Sequence, residues 1–162
     1  MRRSLSQYLT VTGTYWGFTL SDGALRILVL FHFFKLGYSP FTLALLFLMY
    51  EVAGIIANLG GGWLATRFGI PRMLLLGIAM QILGLMFLSC LDQTFGPFLS
   101  VIWVVVAQGI SGLAKDITKT ASKSAIKVVK IDEGEGLFRW VAWFTGSKNA
   151  MKGVGFFLGG VM

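Results

Sequence analysis

Five times in succession this chain runs apolar for about the length a helix needs to cross a bilayer, and polar breaks separate the runs. A hydrocarbon layer takes about 20 apolar residues per helix and offers no water to an open backbone, so only helices and closed barrels can lie in it. The runs show no strict alternation, which leaves helices. They read as spans at residues 8–34, 41–65, 73–91, 98–119 and 137–162, the last still apolar, as GVGFFLGGVM, at Met162. The breaks are GYSP (Gly37–Pro40), RFGIPR (Arg67–Arg72), DQTFGP (Asp92–Pro97) and KIDEGEG (Lys130–Gly136), each with Gly or Pro where a helix should stop. The fold class expected is all-α, a polytopic transmembrane bundle of about five spans, with residues 120–136 as a basic cytoplasmic segment. Composition agrees: 56% hydrophobic against 13% charged residues lies well outside the range of soluble domains. The first run is too long for a signal-peptide core and lacks a small-residue cleavage site, so it is read as a retained span.

Sorting the cations by side sets the orientation. Arg2, Arg3, Arg67, Arg72, Lys115, Lys119, Lys123, Lys127, Lys130 and Arg139 fall on one side and Lys35 alone on the other, so the N-terminus reads as cytoplasmic. A net charge of +7 could suggest nucleic acid, but the basic residues are spread between spans and no nucleic-acid motif accompanies them. The single cysteine, Cys90, permits no intramolecular disulfide and reads as a packing residue. No His or Cys stands at ligand spacing and no nucleophile and base occur together, so neither a metal, a cofactor nor an enzymatic function is expected.

The informative residues are charges inside the spans. Asp22 and Arg26 lie one helical turn apart near the middle of the first span, and Glu51 lies near the middle of the second. Each such charge costs about 2.5–3.5 kcal/mol at a helix centre unless it faces protein or water. A structural ion pair and a substrate or proton site are both open readings for Asp22 and Arg26; Asp22 and Glu51 are the candidate proton carriers. In GLAKDITKTASKSAIK (Gly112–Lys127), lysines recur every fourth residue, a step of about 40° around a helix, so they form a slanting stripe. Ile117, Ala121, Ala125 and Val128 fall opposite. In GSKNAMKGVG, Lys148 and Lys152 share a face with Asn149 beside them, too deep for comfortable snorkelling. Arg26, Lys115, Lys119, Lys148 and Lys152 would then present cations from three helices toward one interior, and a multiply anionic ligand is the simplest common cause. Lys123 and Lys127 read instead as positive charge touching anionic lipid. Gly13 with Gly17, and Gly155 with Gly159, are GxxxG pairs suited to close helix approach.

GGWLATRFGIPRML (Gly61–Leu74) resembles the signature loop of the major facilitator superfamily through Gly62, Arg67, Gly69 and Arg72, although Thr66 stands where an acid is usual. AQGISG (Ala107–Gly112) is similar to the end of that superfamily's fourth-helix motif, with Val105 in place of its Arg, and GVGFFLGG (Gly153–Gly160) to the fifth-helix glycine motif of its antiporters, without the proline. More narrowly, TGTYWGFTLSDGALRILVLFHF, LGYSPFTLALLFLMYE, GLAKDITKTASKSAIK and TGSKNAMKGVGFFLGG resemble the ArsJ family of organoarsenical efflux permeases over essentially the whole chain. The resemblance implies a multi-pass protein of the bacterial inner membrane that exports 1-arseno-3-phosphoglycerate and so confers arsenate resistance, with a glyceraldehyde-3-phosphate dehydrogenase as its functional partner. Members of the superfamily have twelve spans in two halves. Residues 1–162 would therefore be the N-terminal transmembrane portion of a transporter, working by proton antiport with the rest of the permease or a second copy as the other wall.

Two further readings stay open. One is a small dimeric exporter of another anion or drug, complete as it stands. The other is a non-transporting membrane interaction protein whose lysine helix docks on acidic lipid or on a partner.

Overall fold

The computed structural model describes residues 2–92, 94–128 and 135–161, and they form five helices: α1 (Arg2–Lys35), α2 (Pro40–Phe68), α3 (Ile70–Ser89), α4 (Pro97–Val128) and α5 (Glu135–Val161). No strand occurs among the described residues. The expected all-α bundle is what the chain forms.

The polar breaks act through identifiable caps. At the end of α1, Gly37 takes φ 82°, its N–H donates to the Phe34 carbonyl (3.0 Å) and the Tyr38 N–H to the Phe33 carbonyl (3.2 Å). This is the Schellman arrangement, and its usual apolar contact is present as an edge-on Phe33–Tyr38 pair at 5.1 Å. Ser39 then caps α2, its Oγ accepting the Thr42 N–H at 3.2 Å, with Pro40 as the first helical residue. A single residue, Gly69 at φ 78°, separates α2 from α3 and turns the chain back.

Four helices are long and apolar enough to cross a membrane: Ser6–Lys35, Pro40–Leu64, Ile70–Ser89 and Pro97–Ile126. α5 has the length but not the hydropathy, because Ser147, Lys148, Asn149 and Lys152 interrupt its apolar residues. Large apolar side chains such as Phe41, Leu59, Phe98 and Phe157 are exposed on the bundle surface, as lipid-facing residues are. α4 runs past residue 119 and continues unbroken to Val128, and Ala121, Ser122, Ala125 and Ile126 are buried, so residues 120–128 of the expected basic segment are packed helix, in line with the helical lysine stripe. At about 1.5 Å per residue the 32 residues of α4 reach ~48 Å, well beyond about 30 Å of hydrocarbon. Residues 129–134 of that expected segment lie outside the described residues.

α4 is the hub. It packs along α2 and α3 and touches α1, which in turn pairs with α5. Small residues let these axes close. Gly112 sits against the Tyr50 backbone carbonyl of α2, and Gly77 and Gly84 of α3 sit against Thr118 and Ser111 of α4. Gly155 and Gly159 sit against the backbone of Leu20 and Ala24, which bears out the glycine spacing in α5. The same spacing in α1 means nothing comparable: Gly13 and Gly17 face open space. Three apolar clusters fill the bundle, centred on Leu25, Phe33, Leu46 and Val104 at one end, on Tyr8, Tyr15, Ile126 and Phe144 at the other, and on Met73, Ile117 and Ala121 between α3 and α4. Cys90, read as packed, is exposed at the end of α3.

Candidate functional site

The close α2–α4 approach at Gly112 decides which charges meet. It puts Glu51 of α2 beside Lys115 of α4, one helical turn beyond Gly112, and α1 lies across both with Asp22 and Arg26. Arg26 Nη2 donates to Glu51 Oε1 at 2.8 Å, and Lys115 Nζ lies 3.2 Å from Glu51 Oε2. Glu51 therefore bridges two cations from two helices.

On either side of that bridge stands a buried carboxylate. Asp22, 5% exposed, accepts the Tyr50 hydroxyl at 2.5 Å and has Arg26 Nε at 3.8 Å. Asp116, also 5% exposed, has Lys119 Nζ at 2.8 Å and Lys115 Nζ at 3.8 Å. Gly54 makes this possible, since a Cβ there would meet the Asp116 carboxylate. The Tyr50 ring adds a second service. The Arg26 guanidinium lies 4.0 Å and the Lys115 ammonium 4.3 Å from its centroid, so both cations rest on its negative π-face.

Lys148 and Lys152 of α5 complete the cluster. Lys148 lies within Coulombic reach of Lys119, Lys123, Lys152 and Asp116, and Lys152 within reach of Asp22. Among the described residues neither has a carboxylate within 4.0 Å, and the Lys152 ammonium stands 5.3 Å from the Phe156 ring. The five expected cations thus meet three carboxylates, an excess of two positive charges, and Lys123 adds a third.

Of the five expected anion contacts, Arg26, Lys115 and Lys119 are engaged by carboxylates, because the register of α2 and α4 brings Glu51 and Asp116 to them. Asn149, expected beside the lysines, is exposed and takes no part in a hydrogen bond among the described residues. Of the two candidate proton carriers, Asp22 is buried while the Glu51 side chain is 52% exposed. Spacing pointed to neither Tyr50 nor the double pairing of Asp116. An aromatic beside an intramembrane acid, and an acid inside a lysine stripe, are the signals that carried them.

The residues of the signature-like loop stand apart at the α2–α3 turn. Gly69 makes the turn, Arg67 lies 5.3 Å from the Trp63 ring, Arg72 is exposed in the first turn of α3, and Gly62 faces open space. Thr66 Oγ1 donates to the Trp63 carbonyl within its own helix at 2.7 Å, the local bond a hydroxyl makes where an acid could reach further. His32, at the opposite end of the bundle from this turn, lines a cavity of about 830 Å³ with Tyr38, Asp92 and Ser100. There the Thr94 N–H donates to the Asp92 carboxylate at 2.9 Å and holds it below the usual Asp range. No group of three or more possible metal ligands occurs among the described residues.

Comparison with known proteins finds no matching family model, no matching curated protein and no matching solved structure.

Proposed function

We propose that this chain supplies the anion site of a major facilitator-type efflux permease, one that exports an anionic organoarsenical such as 1-arseno-3-phosphoglycerate in exchange for protons and so confers arsenate resistance. The observation that carries the reading is the excess of positive charge on α1, α2, α4 and α5, with Lys148 and Lys152 left without an ion-pair partner among the described residues. Unneutralised ammonium groups in an apolar bundle are costly, and a ligand with phosphate and arsenate ends relieves that cost as lipid cannot. In this reading Lys148, Lys152 and Lys119 meet the anion first and Arg26 and Lys115 hold its inner end. Asp22 and Glu51 carry the coupled proton. A bacterial inner membrane with the N-terminus cytoplasmic, a glyceraldehyde-3-phosphate dehydrogenase that makes the substrate, and a second wall from the rest of a permease or another copy belong to the same proposal.

The test is resistance. Arsenate-sensitive bacteria producing the chain with a glyceraldehyde-3-phosphate dehydrogenase should gain arsenate resistance. That resistance should be abolished in Lys148→Ala and Lys152→Ala variants present in the membrane at wild-type levels. Unchanged resistance removes both lysines from the mechanism, and no resistance from the wild-type chain counts against the export reading.

One observation favours a second reading. Three of the five cations are already paired across helices, as in a network that pins a bundle together. A non-transporting membrane protein built this way, with its basic end on acidic lipid, would bind anionic vesicles in a salt-sensitive manner and show no flux.

A further inference from the structure

The three carboxylates of the cluster are not held alike. Asp22 is buried and takes a hydroxyl bond from Tyr50, and Asp116 is buried in the notch left by Gly54. Glu51 is half open, and its hydrogen bonds among the described residues come from two cations only, Arg26 and Lys115. Both cations keep 20% of their side-chain surface exposed, so each can be reached from the side on which Glu51 lies. Two cations from different helices flanking one oxyanion group is also the geometry a phosphate-like group would seek. From this we infer that Glu51 is a built-in counter-anion that occupies the place of the substrate's anionic group, and that an entering dianion displaces it from Arg26 and Lys115 toward the open side on which it lies. The inference rests on the anion-site reading above and names the contact that the anion must break.

The dianion brings two negative charges to a cluster with positive charge in excess, and the two cations that Glu51 gives up pass to it. The groups around Glu51 agree with this exchange. α1 presents Arg26 and Asp22, its own helix Tyr50, and α4 Lys115 and Asp116, while α5 reaches Asp22 through Lys152. The only charged residue of α3, Arg72, stands in that helix's first turn. Once the two cations turn to the ligand, the charges left facing Glu51 are carboxylates and the ligand itself. Return of the ligand to solution restores the bridge.

The experiment is calorimetric titration of the purified full chain with glycerol 3-phosphate at pH 8, where a phosphate monoester, with a second pKa of about 6, is doubly charged. Glu51→Gln should bind about tenfold tighter or more than wild type, as removal of a charged competitor requires. Glu51→Ala, checked for monodispersity beside it, should behave in the same way, which separates loss of the charge from any property of the glutamine amide. Binding by the variants but not by wild type would also support the exchange. Equal or weaker affinity in both variants overturns it while leaving the anion site standing. No binding by any of the three proteins overturns the anion site and this inference together.

Discussion

Replacing Gly112 by Ala tests the contact that brings the charged cluster together. The added Cβ would meet the backbone carbonyl of Tyr50, an obstacle that no side-chain rotation can clear, so α2 has to move away from α4. Forced overpacking of this kind costs about 1–3 kcal/mol, whereas helix propensity by itself favours Ala over Gly by about 0.5–1 kcal/mol. Gly109, three residues earlier in the same helix, supplies the comparison because a Cβ there meets nothing within 4 Å. Gly109→Ala should therefore match or exceed the wild type, and Gly112→Ala should fall below Gly109→Ala by about 1–3 kcal/mol, the overpacking alone. At about 2–4 °C per kcal/mol for a chain of this size, thermal unfolding in detergent resolves the difference. The displacement should also part Glu51 from Lys115, so crosslinking between cysteines placed at these two positions should drop in the Gly112→Ala background. Equal stability of the two alanine variants, with crosslinking intact, would refute the claim that this glycine sets the α2–α4 distance.

Further outcomes follow from the same contacts. Tyr50→Phe keeps the ring under Arg26 and Lys115 but removes the hydroxyl that Asp22 accepts, and leaving a buried carboxylate short of a donor costs about 1–3 kcal/mol; denaturant titration should show that loss, and no change would mean the bond is idle. Asp116→Asn frees Lys119 and Lys115, so it should tighten anion binding in dialysis measurements while lowering stability, and unaltered affinity would detach Asp116 from the site. Asp92 has a folded-state pKa depressed by the Thr94 N–H, so its contribution is present above its unfolded value of about 4 and is lost as pH falls through the folded value. Asp92→Asn should lower stability at neutral pH, remove this part of the fall between the two pKa values, and meet the wild type below the folded value.

The helices were legible because a bilayer imposes length, and the breaks because Gly37, Ser39, Pro40 and Gly69 are residues that caps and turns require. The extension of α4 through the lysine stripe was half legible. Periodicity showed the helix, but the burial of Ala121, Ser122 and Ala125 depends on which neighbours lie alongside. Ion-pair partners were legible only within one helix. Spacing matched Arg26 with Asp22, yet the tighter contact is with Glu51 on another helix, at 2.8 Å against 3.8 Å. That choice is fixed by interhelical register, which sequence periodicity does not encode. The two GxxxG pairs make the same point: Gly155 and Gly159 meet α1, while Gly13 and Gly17 meet nothing, although their spacing is identical. Gln81, Gln108 and Ser111 were not singled out, and they lie buried in the bundle without a hydrogen-bond partner among the described residues. A polar residue inside an apolar run does not announce whether it faces lipid, water or another helix.

The central claim is that cations converging from several helices hold a doubly charged anion, and equilibrium dialysis of radiolabelled glycerol 3-phosphate against the purified chain tests it most directly. The account predicts saturable binding of one ligand per chain, weakened by rising salt, and weakened about tenfold or more when Lys148 or Lys152 is replaced by Ala, with Lys35→Ala at the far end of α1 without effect. Absence of saturable binding, or an affinity unchanged when both α5 lysines are removed, would contradict it.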